Sequence, residues 1–357
     1  MLHHLIENFD TEFLEAFEAD QRTINECFEA EYKKLSDTEH LEQNVIDEPL
    51  LAWDYRAIEP GLLELMDPFM ESESHTPLLF FSILRDLGLD PKPYVKASLL
   101  LEYSYFALGV IDYFDFHKVF TEKKQDLLTY SELTQVRYAA QYLIQYPRYL
   151  VIKNSFELSK AQNIALHKLY ATIGVTTGIG RGAFLKWGHD YFVSLIREHY
   201  FQNSIYTLNN YFLFPAMLGA IIADLSDAQK DSLQKGFSAL TMFAKLRLEK
   251  RYYENQDEFK ITPPIYRDLW QLLSFPGMAL MENGLQVDPA PYAEDKYPWF
   301  TGLYRDLNTQ IQGIDMADTI KTMEKLETEL FETFVSELGR VDLLPATVER
   351  LRNCYRM

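Results

Sequence analysis

Proline is absent from the stretches of this chain where a helix would need it to be absent. None falls between Pro93 and Pro147, between Pro147 and Pro215, or between Pro215 and Pro263. A proline inside a helix removes a hydrogen bond, clashes with the preceding turn and costs about 3 kcal/mol. The three gaps are therefore where long helices can run. Within them apolar residues return every three or four positions, as at Leu99, Tyr103, Phe106 and Val110, and again at Leu240, Phe243 and Leu246. Strand-like alternation is sparse, and no Asn-Gly pair joins two strand patterns. The expected fold class is all-α, a single large helical bundle.

Residues 1–40 read as an acidic amphipathic helix (Leu5, Phe9, Phe13, Phe17 and onward to Tyr32), and 36–63 as a connection mixing Asp, Glu and Pro. Helical periods fill 74–87, 93–116 and 130–152, and a glycine-rich patch at 174–182 is expected to interrupt the next helix. Residues 254–300, rich in Pro, Gly and acids, read as a long and partly irregular excursion. Such a segment is often a lid or an insertion, and as often a plain solvated loop. Helical pattern returns over 320–356. With no internal repeat, the chain divides into an acidic helical N-terminal extension, 1–70, and one helical domain, 71–357, that carries the excursion at 254–300.

Charge narrows the function classes. The net charge of −19 excludes nucleic acid and anionic membrane surfaces as partners, because both need a basic footprint. Cys27 and Cys354 make neither a disulfide framework nor a metal site, so a reducing, cytoplasmic setting is expected. The first residues, MLHHLIENFD, lack the basic and apolar regions of a secretory signal. The longest apolar run, 211–222, is too short for a bilayer span of about 20 residues, and no transmembrane segment is expected.

The residues that carry chemistry lie at the end of the stretch 102–115, EYSYFALGVIDYFD. Asp112 and Asp115 stand three apart, on one face of a helix. Two neighbouring carboxylates repel unless a cation sits between them, and Mg²⁺ takes oxygen ligands with substrate phosphates completing its shell. A helix that runs from a glutamate into a DDxxD-like motif, here Ile111-Asp112-Tyr113-Phe114-Asp115, resembles that of the isoprenoid (polyprenyl) diphosphate synthases. The resemblance extends over roughly 74–356, more in order and spacing than in identity, and implies the class I isoprenoid synthase fold.

Compared with that family, the basic residues that hold isopentenyl diphosphate are missing. The GKxxRP-like position reads Glu73-Ser74-His75-Thr76-Pro77-Leu78-Leu79, and the Lys-Thr position reads Asn203-Ser204. His117, Lys118, Lys123 and Lys124 are all that follows the aspartates where the family has an RRG-like pair. The GxxGGQxxD-like helix matches Gly178-Ile179-Gly180-Arg181-Gly182-Ala183-Phe184, and without a βαβ unit around it the glycines read as close helix packing rather than a phosphate cradle. The second aspartate motif, FQxxDD, matches Phe243 followed by Arg247 and Leu248, and its third aspartate falls on Arg251. Glu249, Glu254, Asp257 and Glu258 lie nearby and could supply a shifted metal site, but in a very acidic chain they are rather expected to be surface acids.

What the resemblance implies is a divergent enzyme, a transferase or cyclase, that binds one allylic prenyl diphosphate with Mg²⁺ and does not elongate it with isopentenyl diphosphate. Asp112 and Asp115 would be the catalytic, metal-holding pair. Arg247, Arg251 and Arg181 would hold the diphosphate, since guanidinium recognises phosphate in a bidentate fashion. Tyr105, Phe106 and Phe243 would line a dry prenyl pocket able to stabilise an allylic cation. The family's habit of pairing through its helices implies a homodimer. The alternative left open is a non-catalytic relative that binds a prenyl lipid or a protein partner, in which Asp112 and Asp115 pair with Arg247 and Arg251 as an internal salt-bridge network.

Overall fold

The computed structural model describes residues 19–20, 22–27, 29–30, 76–104, 107, 141, 144–145, 147–151, 156, 158–189, 197–254, 275 and 317–355. Its principal helices are α1 (Thr76–Asp86), α2 (Lys160–His189), α3 (Arg197–Leu208), α4 (Leu213–Ile222), α5 (Asp227–Glu254), α6 (Ala317–Gly339) and α7 (Pro345–Tyr355). Residues 95–104 form a further helix after the short 3₁₀ turn Lys92–Tyr94. Among the described residues there is no strand, and the fold is all-α.

Local chemistry fixes where several helices start and stop. Ahead of α2, Ser159 and Gln162 satisfy each other's backbone N–H groups (3.0 and 3.3 Å). Ser226 and Gln229 do the same ahead of α5 (3.0 and 3.4 Å). Both are capping boxes, in which two orphan donors are satisfied reciprocally. Helix α1 ends where Gly88 takes φ +77° and the Leu89 N–H donates to Leu84 O (2.9 Å). Helices α4 and α6 end in the same way at Asp224 and Asp342, with φ of 52° and 51°. There Leu225 N–H donates to Ala220 O (3.0 Å) and Leu343 N–H to Leu338 O (3.0 Å). A left-handed residue after the last turn lets the chain satisfy the final carbonyls while turning away.

Helix α4, LFPAMLGAII, is apolar all round and runs through the interior. One side meets α1, residues 97–104 with Ala107, and α2, where Leu78, Phe80, Phe81, Leu100, Tyr103 and Leu166 form the first core. The other meets α5, on which α6 packs in turn, and Phe237, Phe243, Phe331, Phe334 and Leu351 of α5, α6 and α7 belong to the second. Ile24, from the N-terminal helical residues, is buried in the first core, and Asp20 pairs with Arg85 of α1 at 2.6 Å. Among the described residues no single helix is long and apolar enough to cross a membrane. One bent pair, Tyr200–Leu208 with Leu213–Ile222, meets the length and composition test only together, across a 58° bend.

The glycine-rich patch does not interrupt its helix: α2 runs unbroken from Lys160 to His189. Glycine in a helix costs about 1 kcal/mol, and tertiary packing offsets that here. A Cβ on Gly180 would stand 2.7 Å from Thr207 Oγ1 and 2.8 Å from the Thr207 backbone nitrogen. Close approach of α2 to α3 therefore requires glycine at this position, whereas Gly174, Gly178 and Gly182 face open space.

Candidate functional site

The charged residues of interest sit in the C-terminal half of α5, where the apolar face is broken by Lys245, Arg247, Glu249 and Lys250. At about 100° per residue, Lys245 and Glu249 project from one side of the helix. Arg247 and Lys250 project from another, towards α6.

On the first side Glu249, only 1% exposed, is the hub of a buried network. Its Oε1 pairs with Lys245 Nζ at 2.6 Å, one turn back on the same helix. Its Oε2 accepts from the Tyr200 hydroxyl of α3 at 2.7 Å and from the Phe275 backbone N–H at 2.8 Å. Lys245 Nζ also stands 5.6 Å from the centre of the Tyr200 ring, a cation–π distance. Tyr200, Phe201 and Phe275 pack edge to face or tilted, with centroids 5.5 to 6.3 Å apart, and close the network off from water. Burial first, and the Glu249 charge second, push the Tyr200 hydroxyl well above its ordinary range, so it stays protonated and donates. Ser204 hydrogen-bonds the same hydroxyl.

On the second side Glu327 of α6 is buried against α5. Lys250 Nζ lies 3.4 Å from its Oε2 and Arg247 Nη1 lies 4.0 Å from that same oxygen. Lys250 also reaches Glu324 at 3.6 Å. Burial raises the Glu327 carboxyl above its usual value, and Lys250 and then Arg247 pull it back in part. The Arg247 guanidinium is 5.7 Å from the centre of the Phe243 ring, and Phe243 in turn tilts against Phe331 at 5.2 Å within the second core.

Of the residues singled out in the sequence, the structure brings Arg247 and Phe243 together. Asp112, Asp115, Tyr105, Phe106, Asp257 and Glu258 lie outside the described residues. Arg181 is helical on α2, and Arg251 and Glu254 are helical on α5, with side chains outside the described set. Thr76 is buried at the start of α1, and Asn203 and Ser204 are buried on α3. Glu249 is a correction: the acid expected at the surface is buried and holds three groups. The Lys245–Glu249 spacing of four was a readable sign of that pairing. The Tyr200 and Phe275 partners come from other elements and left no trace near Glu249 in the sequence.

The donor set on α5 does not suit a second magnesium cluster. Arg247 and Leu248 stand where carboxylates would be needed, and Glu249 is committed to Lys245, Tyr200 and Phe275. Among the described residues no three His, Cys, Asp or Glu side chains converge on one point. Chemically, α5 offers cations held in partly buried ion pairs. Arg247 is the more open of the two that face α6, with 29% of its side chain exposed against 15% for Lys250.

The chain matches no protein-family model and no curated protein by sequence. Solved structures match its fold. A geranylgeranyl pyrophosphate synthase aligns at TM-score 0.63 and 11% identity, over 93% of this chain and 95% of that one. A polyprenyl synthetase from Streptomyces coelicolor A3(2) aligns at TM-score 0.61 and 12% identity, over 78% and 82%. A farnesyl diphosphate synthase from T. brucei, complexed with a bisphosphonate, aligns at 0.61 and 11%, over 94% and 96%. The chain has the polyprenyl synthetase fold, at sequence identities that mark it as divergent.

Proposed function

We propose that this protein binds a single allylic prenyl diphosphate and either cyclises it or passes its prenyl group to an acceptor other than isopentenyl diphosphate. The observation that carries the reading is the fold, shared along nearly the whole chain with synthases named for prenyl diphosphates. In this reading Asp112 and Asp115 hold Mg²⁺, which when bound supplies charge neutralisation to a departing diphosphate. Arg247, with Arg251 and Arg181, adds guanidinium contacts to the same group. Phe243, with Tyr105 and Phe106, gives the prenyl chain an apolar, aromatic surface. Chain elongation is disfavoured, because Thr76 and Asn203 stand where the resemblance calls for basic residues. The protein would work as a cytoplasmic homodimer.

A second reading is favoured by one feature of α5. Two of its cations are already paired with buried acids, Lys245 with Glu249 and Lys250 with Glu327. That suits a non-catalytic homologue that keeps the helical body to bind a prenyl lipid or a protein partner.

Calorimetry with non-hydrolysable geranyl and farnesyl diphosphate analogues, with and without Mg²⁺, separates the two. The enzyme reading expects tight binding that requires Mg²⁺ and is abolished in Asp112→Ala. Unchanged binding in that variant would sink it. Binding without metal would support the lipid-binding homologue.

A further inference from the structure

Helix α2 differs from the rest of the chain in its charge and in what it leaves uncovered. The protein carries 53 Asp and Glu residues, yet α2 includes none, against Lys160, Lys168, Arg181 and Lys186. The exposed large apolar side chains among the described residues, Ile164 (48%), Val175 (62%) and Ile179 (55%), all lie on this helix. Ile164, Lys168, Ala171, Val175, Gly178 and Gly182 are exposed at steps of three and four, which places them in one stripe. Leu166 and Ile173 point the other way, into the first core. A Cβ on Gly178 or Gly182 would meet nothing within 4 Å, so the stripe has gaps that a bulky side chain can enter. A contiguous apolar stripe left in water marks a partner surface.

Residues 1–18, which lie outside the described residues, complement that stripe. They carry Glu7, Asp10, Glu12, Glu15 and Glu18 and no Lys or Arg. Leu2, Leu5, Phe9, Phe13 and Phe17 recur at steps of three or four. As the helix this pattern predicts, the segment spans about 27 Å, and the stripe from Ile164 to Gly182 spans about the same length.

We propose that residues 1–18 of one copy lie on the exposed stripe of α2 of a second copy, and that the two copies exchange this contact. The proposal rests on the homodimer reading given above and names its interface. Two observations favour the second copy over the same chain. Ile24 is buried in the first core and Asp20 holds Arg85 at the end of α1, so the segment leaves the body from the inner side of α2. No Pro or Gly precedes Pro49, and a helix without a breaker does not turn sharply around α2 to its outer face. Direct pairing of α2 with α2 is disfavoured, since it sets four cations against four with no acid between them. The acidic segment brings opposite charge instead, with aromatic rings for the gaps at Gly178 and Gly182.

Light scattering and sedimentation of the full chain test the proposal, and wild type is expected to be a dimer. Val175→Glu with Ile179→Glu alters two exposed positions of the stripe, and Phe9→Ser with Phe13→Ser removes two rings from the segment. Each pair is expected to weaken the dimer at least about tenfold. Circular dichroism confirms that the variants are folded, and Lys168→Glu supplies a single change on the stripe with the same expected direction. Lys325→Glu on α6, at a side chain 77% exposed, is expected to change dimerisation by less than about twofold. Mixing the two double variants is diagnostic. The intact segment of the first then meets the intact stripe of the second, and a mixed dimer tighter than either variant alone is expected. Undiminished dimerisation of the Phe9, Phe13 variant would overturn the proposal, as would a mixture no tighter than its components. Either result with a dimeric wild type leaves the homodimer reading standing, whereas a wild type that stays monomeric removes both.

Discussion

Removal of the Glu249 side chain is the perturbation with the largest calculable effect in this protein. Glu249→Ala withdraws the carboxylate that lies 2.6 Å from Lys245, whose side chain is only 11% exposed. Breaking a buried ion pair by deleting one partner costs about 3–5 kcal/mol, because the remaining charge stays in a poor solvent. The Tyr200 hydroxyl and the Phe275 N–H lose their acceptor in the same step. Each such loss costs about 1–3 kcal/mol when the donor stays buried. These terms do not add, since water entering the vacated space serves all three groups at once. The expected total is about 4–6 kcal/mol, or roughly 8–12 °C in Tm at about 2 °C per kcal/mol for a chain of this size. Glu249→Gln keeps an acceptor and loses the charge, and should cost about half as much. A Lys245→Met, Glu249→Leu pair, which replaces the ion pair by apolar groups of similar length, should recover stability relative to Glu249→Ala. Urea titrations followed by far-UV circular dichroism measure all of these. A loss within about 0.5 kcal/mol for Glu249→Ala, the range of an ordinary surface change, would refute the buried network.

Two further outcomes follow from particular contacts. Gly180→Ala should lose about 1–3 kcal/mol by calorimetry, since its Cβ meets the Thr207 backbone at 2.8 Å. Gly178→Ala, two residues earlier and facing open space, should gain about 0.5–1 kcal/mol from helix propensity. The Glu327 carboxyl is raised by burial, so the folded state holds its proton more tightly than the unfolded chain does. Its contribution is therefore fully present below the unfolded carboxyl range and is lost as pH rises through the folded value. Urea midpoints of wild type should accordingly fall relative to Glu327→Gln as pH rises above about 4.3, then run parallel. A constant difference across that range would show that Glu327 titrates normally.

The sequence carried the features that are local. Proline-free gaps and apolar spacing of three or four depend only on backbone geometry, so the all-α class was legible from residues such as Leu240, Phe243 and Leu246. The family resemblance survived because the order of helices outlasts identity, and the fold matches bear it out. The capping boxes at Ser159 and Ser226 are legible too, since Ser-x-x-Gln is a complete local signal. The glycine patch misled for a physical reason. Propensity prices each glycine within its own helix, while the close approach of Thr207 to Gly180 is settled by a residue 27 positions away.

Glu249 marks the boundary most clearly. In sequence it is one acid among 53 Asp and Glu residues, and its spacing from Lys245 tells nothing of its depth. Depth depends on Tyr200 and Phe275 arriving from other parts of the chain to cover it and to donate to its Oε2. The same holds for Glu327, 80 residues from Arg247 in sequence and 4.0 Å away in space. By itself the sequence determined that this chain would be helical and which residue types each helix would offer. The tertiary structure alone decided which charges were taken out of water and which partners they met, because desolvation is a property of the assembled surroundings and not of any segment within them.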